Sequence, residues 1–222
     1  MQHILSFLEA LASNNNRDWF NEHKKQYQES LDSFRELITV ILEGITQVDP
    51  SIGDLQAKDS IFRIYKDVRF SKDKTPYKTH FGSWMAKGGR KSTDAGYYFH
   101  LEPGGSFMAA GVWMPPKEQL TLIRQEILYN PSSYFSVIND PAIAGHYERG
   151  GTEDMLKKGP AGFPKDFEHM EELKYKHHVF SRNYSDKELL KKDFSSVLIE
   201  DFKGLFPLVD YLNQVMSFTG NE

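Results

Sequence analysis

At Ile61 the spacing of apolar residues changes from about 3.6 to 2, and the shorter period persists to Met114. Within that stretch residues 62–66, 80–86, 96–102 and 106–113 each alternate as strands do, and Pro103-Gly104-Gly105 joins the last two as a tight hairpin. Helical spacing flanks it on both sides. Ile4, Phe7, Leu8 and Leu11 define a short first helix; a second restarts from an Asn cap among Asn14–Asn16, carries Tyr27, Leu31, Phe34, Ile38, Ile41 and Ile45, and stops at Asp49-Pro50. After the strands, Pro115-Pro116 opens a helix with Leu120, Ile123 and Ile127 inward, followed by a shorter one with Tyr134, Phe135 and Ile138. Residues 140–171 read as long connections, and Leu173, Tyr175 and Val179 suggest one further strand. Ser185 and Glu188 then form a capping box ahead of a stripe of Phe194, Val197, Leu198, Phe202 and Leu205, which continues past Pro207 in Leu208, Leu212 and Val215.

Helices, then strands, then helices is the order of an α+β fold, with an antiparallel meander of about four or five strands packed by N-terminal and C-terminal helices. Alternating parallel βαβ units are disfavoured. The expected organisation is one domain over 1–222: helical at 1–50, a sheet core at 60–114, helices and long loops at 115–172, and a late strand with C-terminal helices at 173–218. A chain of 222 residues that is 39% hydrophobic and 14% aromatic can bury such a core.

Composition narrows the chemistry. There is no cysteine, which excludes thiolate ligands and nucleophiles and fits a reducing, cytoplasmic setting. No apolar run approaches the roughly 20 residues of a bilayer span, and the first residues lack a signal peptide's basic and apolar regions, so a soluble protein that keeps its N-terminus is expected. The net charge of −4 conceals an asymmetry: residues 61–91 carry nine Lys or Arg against Asp67 and Asp73, a local excess of +7 on an otherwise acidic chain. A focused basic segment suits a small phosphate or carboxylate better than nucleic acid, whose binders present broader basic surfaces.

Three constellations carry the candidate chemistry. On the strand 96–102, alternation sets Tyr98, His100 and Glu102 on one face, and the hairpin is expected to bring the small run Ala109-Ala110-Gly111 opposite Tyr98 and His100, leaving room for a pocket. His100 then reads either as an acid/base group oriented by Glu102 or as a structural imidazole tied to Glu102 or the backbone. In the loop 66–78, Arg63 and Arg69 offer planar bidentate donors and Lys74 and Lys78 mobile charge, with Tyr77, His80 and Tyr98 shaping the pocket; the alternative is a solvated loop whose acids pair locally. Arg182, on or near the late strand, is a possible further contributor. His80, His100 and Glu102 hold the donor set of a facial metal triad, but no HExxH, HxH or Asp-rich spacing supports it, and no metal is assigned. Gly88–Thr93 fails as a phosphate loop, since Arg90 stands where a glycine must precede Lys91.

The stretches FRIYKDVRFSKDKTPYKTHFG and GYYFHLEPGGSFMAAGVWMP, with LSFLEALASNNNRDWFNEHKKQY at the start and Leu156–Phe163, resemble a family of uncharacterised proteins of about this length, widespread in bacteria and present in fungi. The resemblance covers nearly the whole chain and implies a single-domain organisation; it brings no reaction, cofactor or catalytic residue. The residues themselves lead to a small anionic ligand over an open sheet face, held by Arg63, Arg69, Lys74 and Lys78, with His100 and Glu102 as catalytic candidates. Two other classes stand beside it: a protein that docks an acidic protein or nucleic acid through its basic segment, and a metal-dependent hydrolase.

Overall fold

The computed structural model of the chain describes residues 1–69 and 71–217. Helices α1 (Gln2–Ser13), α2 (Arg17–Glu22) and α3 (Lys24–Thr46) open it; the expected apolar stripe is buried on α1, and on α3 it is buried from Phe34 to Ile45 with Tyr27 and Leu31 half-buried against the core. Asn16 caps α2, its side-chain oxygen accepting from the Trp19 amide at 2.9 Å. The single helix expected from this cap to Asp49 is two helices. His23 separates them, its ring stacked on Trp19 at 4.0 Å and its Nδ1 2.8 Å from the Trp19 carbonyl oxygen, a side-chain bond that competes with the helical ladder.

After α4 (Ala57–Ser60) come β1 (Phe81–Met85), β2 (Gly96–Leu101) and β3 (Ser106–Val112), followed by α5 (Lys117–Tyr129), α6 (Pro131–Ile138) and α7 (Pro141–Ala144). The two-residue β4 (Glu148–Arg149) and α8 (Met170–Leu173) lead to β5 (His178–Tyr184), and α9 (Asp186–Leu189), α10 (Phe194–Gly204) and α11 (Phe206–Ser217) close the chain. The strands form one sheet in the order β1-β2-β3-β5-β4 with every neighbouring pair antiparallel, so the α+β class and the meander hold. Pro207 lies in the first turn of α11, where its missing N–H costs nothing. Phe218, the last position of the expected helical C-terminus, lies outside the described residues.

Two expected strands differ. The segment 61–66 makes only isolated bridges, Ile61 with Ser83 and Tyr65 with Tyr77, because after one bridge to β1 it turns to pair with its own downstream arm, Lys78 N donating to Ile64 O at 2.8 Å. The late strand begins at His178, five residues after the expected start. Leu173 ends a helical turn instead, and the Arg124 guanidinium on α5 donates to the carbonyls of Leu173 and Tyr175, at 2.8 and 3.3 Å, which ties that stretch down as a loop.

Period-two geometry sorts the sheet into two faces. Phe81, Ser83 and Met85, Tyr97, Phe99 and Leu101, and Met108, Ala110 and Val112 face α3, α10 and α11, with Phe34 stacked on Phe81 at 5.3 Å, Phe194 tilted against Phe99 at 5.9 Å and Phe202 edge-to-face with Tyr97 at 5.5 Å. A single hydrophobic core joins this face to the helices. The other face presents Gly82 and Trp84, Tyr98 and His100, Phe107 and Ala109, and Val179 and Ser181. Among the described residues no helix is long and apolar enough to cross a membrane.

Candidate functional site

The second face carries a hydrogen-bonded row that the alternation of β2 anticipates. The Tyr98 hydroxyl lies 3.0 Å from His100 Nδ1, and His100 Nε2 lies 3.1 Å from Glu102 Oε2. Glu102, the first residue after β2, has a doubly clamped backbone: its amide donates to Ser106 Oγ at 3.0 Å, and the Ser106 hydroxyl donates to its carbonyl at 2.8 Å. Its second oxygen, Oε1, accepts from the Thr79 hydroxyl at 2.6 Å. Because Gly82 stands opposite His100, the next residue pair along β1 brings His80 over the His100 ring, with centroids 4.1 Å apart. Gly82 matters for its missing side chain: a Cβ there would meet the Tyr98 hydroxyl at 2.7 Å.

Burial sets the charge state of this row. It lowers His80 to about 4, helped by the neighbouring His100, and lowers His100 against the opposing pull of Glu102, so both rings are neutral at neutral pH. Burial pushes Glu102 up, but hydrogen bonds from Thr79 and His100 outweigh it and hold the carboxyl below its usual range. Tyr98 is pushed up to about 12 by burial and by Glu102, and keeps its proton.

Beside the row lies a groove of about 650 Å³, within the range of small-molecule sites. Phe62, Trp84, Tyr98, Phe107 and Trp113 give it aromatic walls, and Ala109, Val179 and Ser181 form part of its lining. Lys78 and Arg90 bring positive charge, Asp94 and Glu153 negative. The Lys78 ammonium sits 5.4 Å from the Phe62 ring centroid and, among the described residues, has no carboxylate partner. Burial and the field of Arg63 both lower its pKa.

The candidates named from sequence divide into two groups. His80, Tyr98, His100 and Glu102 come together, and Lys78 lies next to them on the groove wall. Arg63 is exposed and close enough to Lys78 to perturb it. Arg69 and Lys74 are taken up inside the basic loop: Arg69 holds both oxygens of Asp67, with Nη2 at 2.6 Å from Oδ2, and Lys74 Nζ donates to the Val68 carbonyl at 3.0 Å. Lys66 pairs with Asp73 at 2.8 Å, so the loop neutralises much of its own charge. Tyr77 lies in the core, stacked on Phe20 at 4.0 Å, its backbone held at both N and O by the Asn15 side chain.

Two further expectations are corrected. Only Tyr98 faces the small run, opposite Ala109; His100 pairs with Phe107, whose ring stacks on it at 4.8 Å, because the hairpin register places the alanines two residues further along. Arg182 pairs with Met108 on the helix-covered face and binds Asp201 at 2.7 Å, away from this row. Sequence reasoning missed Phe62, Trp84, Phe107 and Trp113 as groove walls, although the parity of Trp84 with Gly82 and of Phe107 with Ala109 carried the signal. Thr79 had none, since its partner is 23 residues away.

No curated protein and no solved structure matches the chain. Residues 3–211 do match the family described as conserved hypothetical protein (DUF2461), in agreement with the resemblance carried by the 61–114 motifs. The chain therefore belongs to the DUF2461 family.

Proposed function

We propose that the groove on the uncovered sheet face receives a small organic anion, a phosphate or carboxylate head on a flat or apolar body, with Lys78 as its anchor. One observation carries this reading: a half-buried ammonium on an aromatic groove wall, beside a second cation, Arg63, and in ion-pair contact with no carboxylate among the described residues. Partial burial of an unpaired charge is costly, and an anionic ligand relieves that cost. The aromatic walls would stack on the ligand body. Asp94 and Glu153 in the same lining disfavour a polyanion, and the internally paired loop 66–78 leaves less free basic surface for nucleic acid. His100 has a partner on each ring nitrogen, so the reading is one of binding, with catalysis at that imidazole left out of it.

The test is thermal shift with nucleotides, sugar phosphates and carboxylic acids in the presence of a chelator, comparing the native protein with Lys78→Met. A ligand at a hundredfold excess over its Kd contributes about 2.7 kcal/mol, or on the order of 5–10 °C for a chain of this size. At least one compound should produce such a shift, and Lys78→Met should abolish it. A flat panel, or equal shifts in both proteins, would overturn the assignment.

A further inference from the structure

His80, His100 and Glu102 lie outside the groove lining, and their ligating atoms all fall within 4.8 Å of one another. We propose that they form a facial site for a divalent first-row transition ion of the zinc, manganese or iron(II) class. Two imidazoles and a carboxylate are a borderline nitrogen–oxygen donor set suited to such ions, and three ligands on one side leave coordination positions open. Ligands about 2.1 Å from one ion stand roughly 3.0–3.4 Å apart, and His100 Nε2 lies 3.1 Å from Glu102 Oε2.

The outer partners support the same arrangement. Metal-ligating histidines and carboxylates are held by bonds to the atoms that do not face the ion. Here Tyr98 sits at His100 Nδ1, and Thr79 donates to Glu102 Oε1, so Nε2 and Oε2 are the atoms left pointing inward. The Ser106 clamp fixes the backbone of Glu102. His80, half-buried with its ring 4.1 Å from that of His100 and tilted 32° to it, has no hydrogen-bond partner for either ring nitrogen among the described residues. A purely structural Tyr–His–Glu chain has no need of that second imidazole.

The site has a definite consequence for Tyr98. Without an ion, His100 Nε2–H donates to Glu102, and Nδ1 accepts from the Tyr98 hydroxyl. With an ion on Nε2, the ring carries its proton on Nδ1 and donates to Tyr98. The ring exchanges its Nε2 proton for one on Nδ1 with no net gain, and Tyr98 keeps its own hydrogen, which no longer points at His100 and turns towards the groove that Tyr98 lines.

The experiment uses the full chain stripped with a chelator and titrated calorimetrically with zinc, manganese or iron(II) chloride alone, with elemental analysis of protein purified without chelator. One equivalent of one of these ions should bind. His80→Ala and Glu102→Gln should weaken binding at least tenfold, and Tyr98→Phe by about ten- to hundredfold. Nitrogen-15 spectra of labelled histidine should show His100 changing tautomer on loading, a shift that a merely structural role would not produce. His80→Ala, which removes an unpartnered side chain, keeps the test valid if Glu102→Gln fails to fold. Affinity weaker than ~1 mM for all three ions, or equal binding by native protein and His80→Ala, would overturn the site. Because none of the organic anions of the groove test is present, either result is independent of the groove assignment.

Discussion

The two faces of the sheet hold their cations differently. On the covered face Arg182 binds Asp201 at 2.7 Å, and Arg149 binds Glu172 at 3.1 Å and the Tyr134 hydroxyl at 2.8 Å, although Arg149 Nε and His178 Nε2 are buried there without a hydrogen-bond partner. Phenols are closed off as well, Tyr97 on Asp49 at 3.0 Å and Tyr184 on Asp201 at 2.5 Å. On the open face, among the described residues, Lys78 lies over the Phe62 ring without a carboxylate partner, and His80 lies against the His100 ring without a hydrogen-bond partner. Both faces belong to the same strands, so backbone geometry cannot account for the contrast. On the proposed reading, an anionic ligand would give Lys78 the partner that Asp201 and Glu172 give the arginines of the covered face.

The sharpest way to break this contrast is to truncate an aromatic on each face. Phe99→Ala should destabilise by about 3–5 kcal/mol in urea titrations, as removal of a fully buried ring does, whereas Trp113→Ala, at a residue 50% exposed, should cost less than about 1 kcal/mol. Equal losses would mean that the open face is structural after all.

Acid should sharpen the comparison from the covered side. His178 is buried and held neutral well below its ordinary pKa, by burial first and then by the positive charges of Arg149 on β4 and Arg124 on α5, with His177 alongside and with Tyr134 on α6 at its Nδ1. Glu172 of α8 faces the same network through Tyr134 and Arg149. In the unfolded chain the imidazole takes up a proton near pH 6.5, so the unfolded state binds more protons below that pH and stability falls as pH drops. Between pH 6.5 and 5 the loss should be about 2 kcal/mol. His178→Gln should remove that share of the acid sensitivity, which urea midpoints at pH 7 and 5 will measure; an unchanged slope would show the network tolerates the charge.

The smallest effect is the most pointed. Lys78→Met, which removes a partly desolvated unpaired charge while keeping the stem, should leave stability unchanged or raise it by a few tenths of a kcal/mol, even as ligand shifts vanish. A clear destabilisation would place Lys78 among the structural residues.

The legibility of these features from sequence follows their range. The row Tyr98, His100 and Glu102 is written in a period of two, and Pro103-Gly104-Gly105 fixes the turn that follows it, so both were readable. His80 and Thr79 join that row only through the pairing of β1 with β2, which is tertiary information. Arg69, Lys74 and Tyr77 looked alike as loop residues, yet local carboxylate and carbonyl contacts absorbed the first two and the Phe20 ring the third. Likewise the polar side of β5 looked available for a ligand until Asp201 of α10 was seen to occupy Arg182.

Gly82 contributes no functional atom, yet the Tyr98 hydroxyl occupies the volume its side chain would fill. What is inherited at this position is an absence. In an evolving population, drift to alanine here would leave the strand pairing intact and the chain folded, while nudging one phenol away from its imidazole. Such a lesion escapes any quality control that reads only misfolding. Only an assay of the Tyr98–His100 contact itself would register the change.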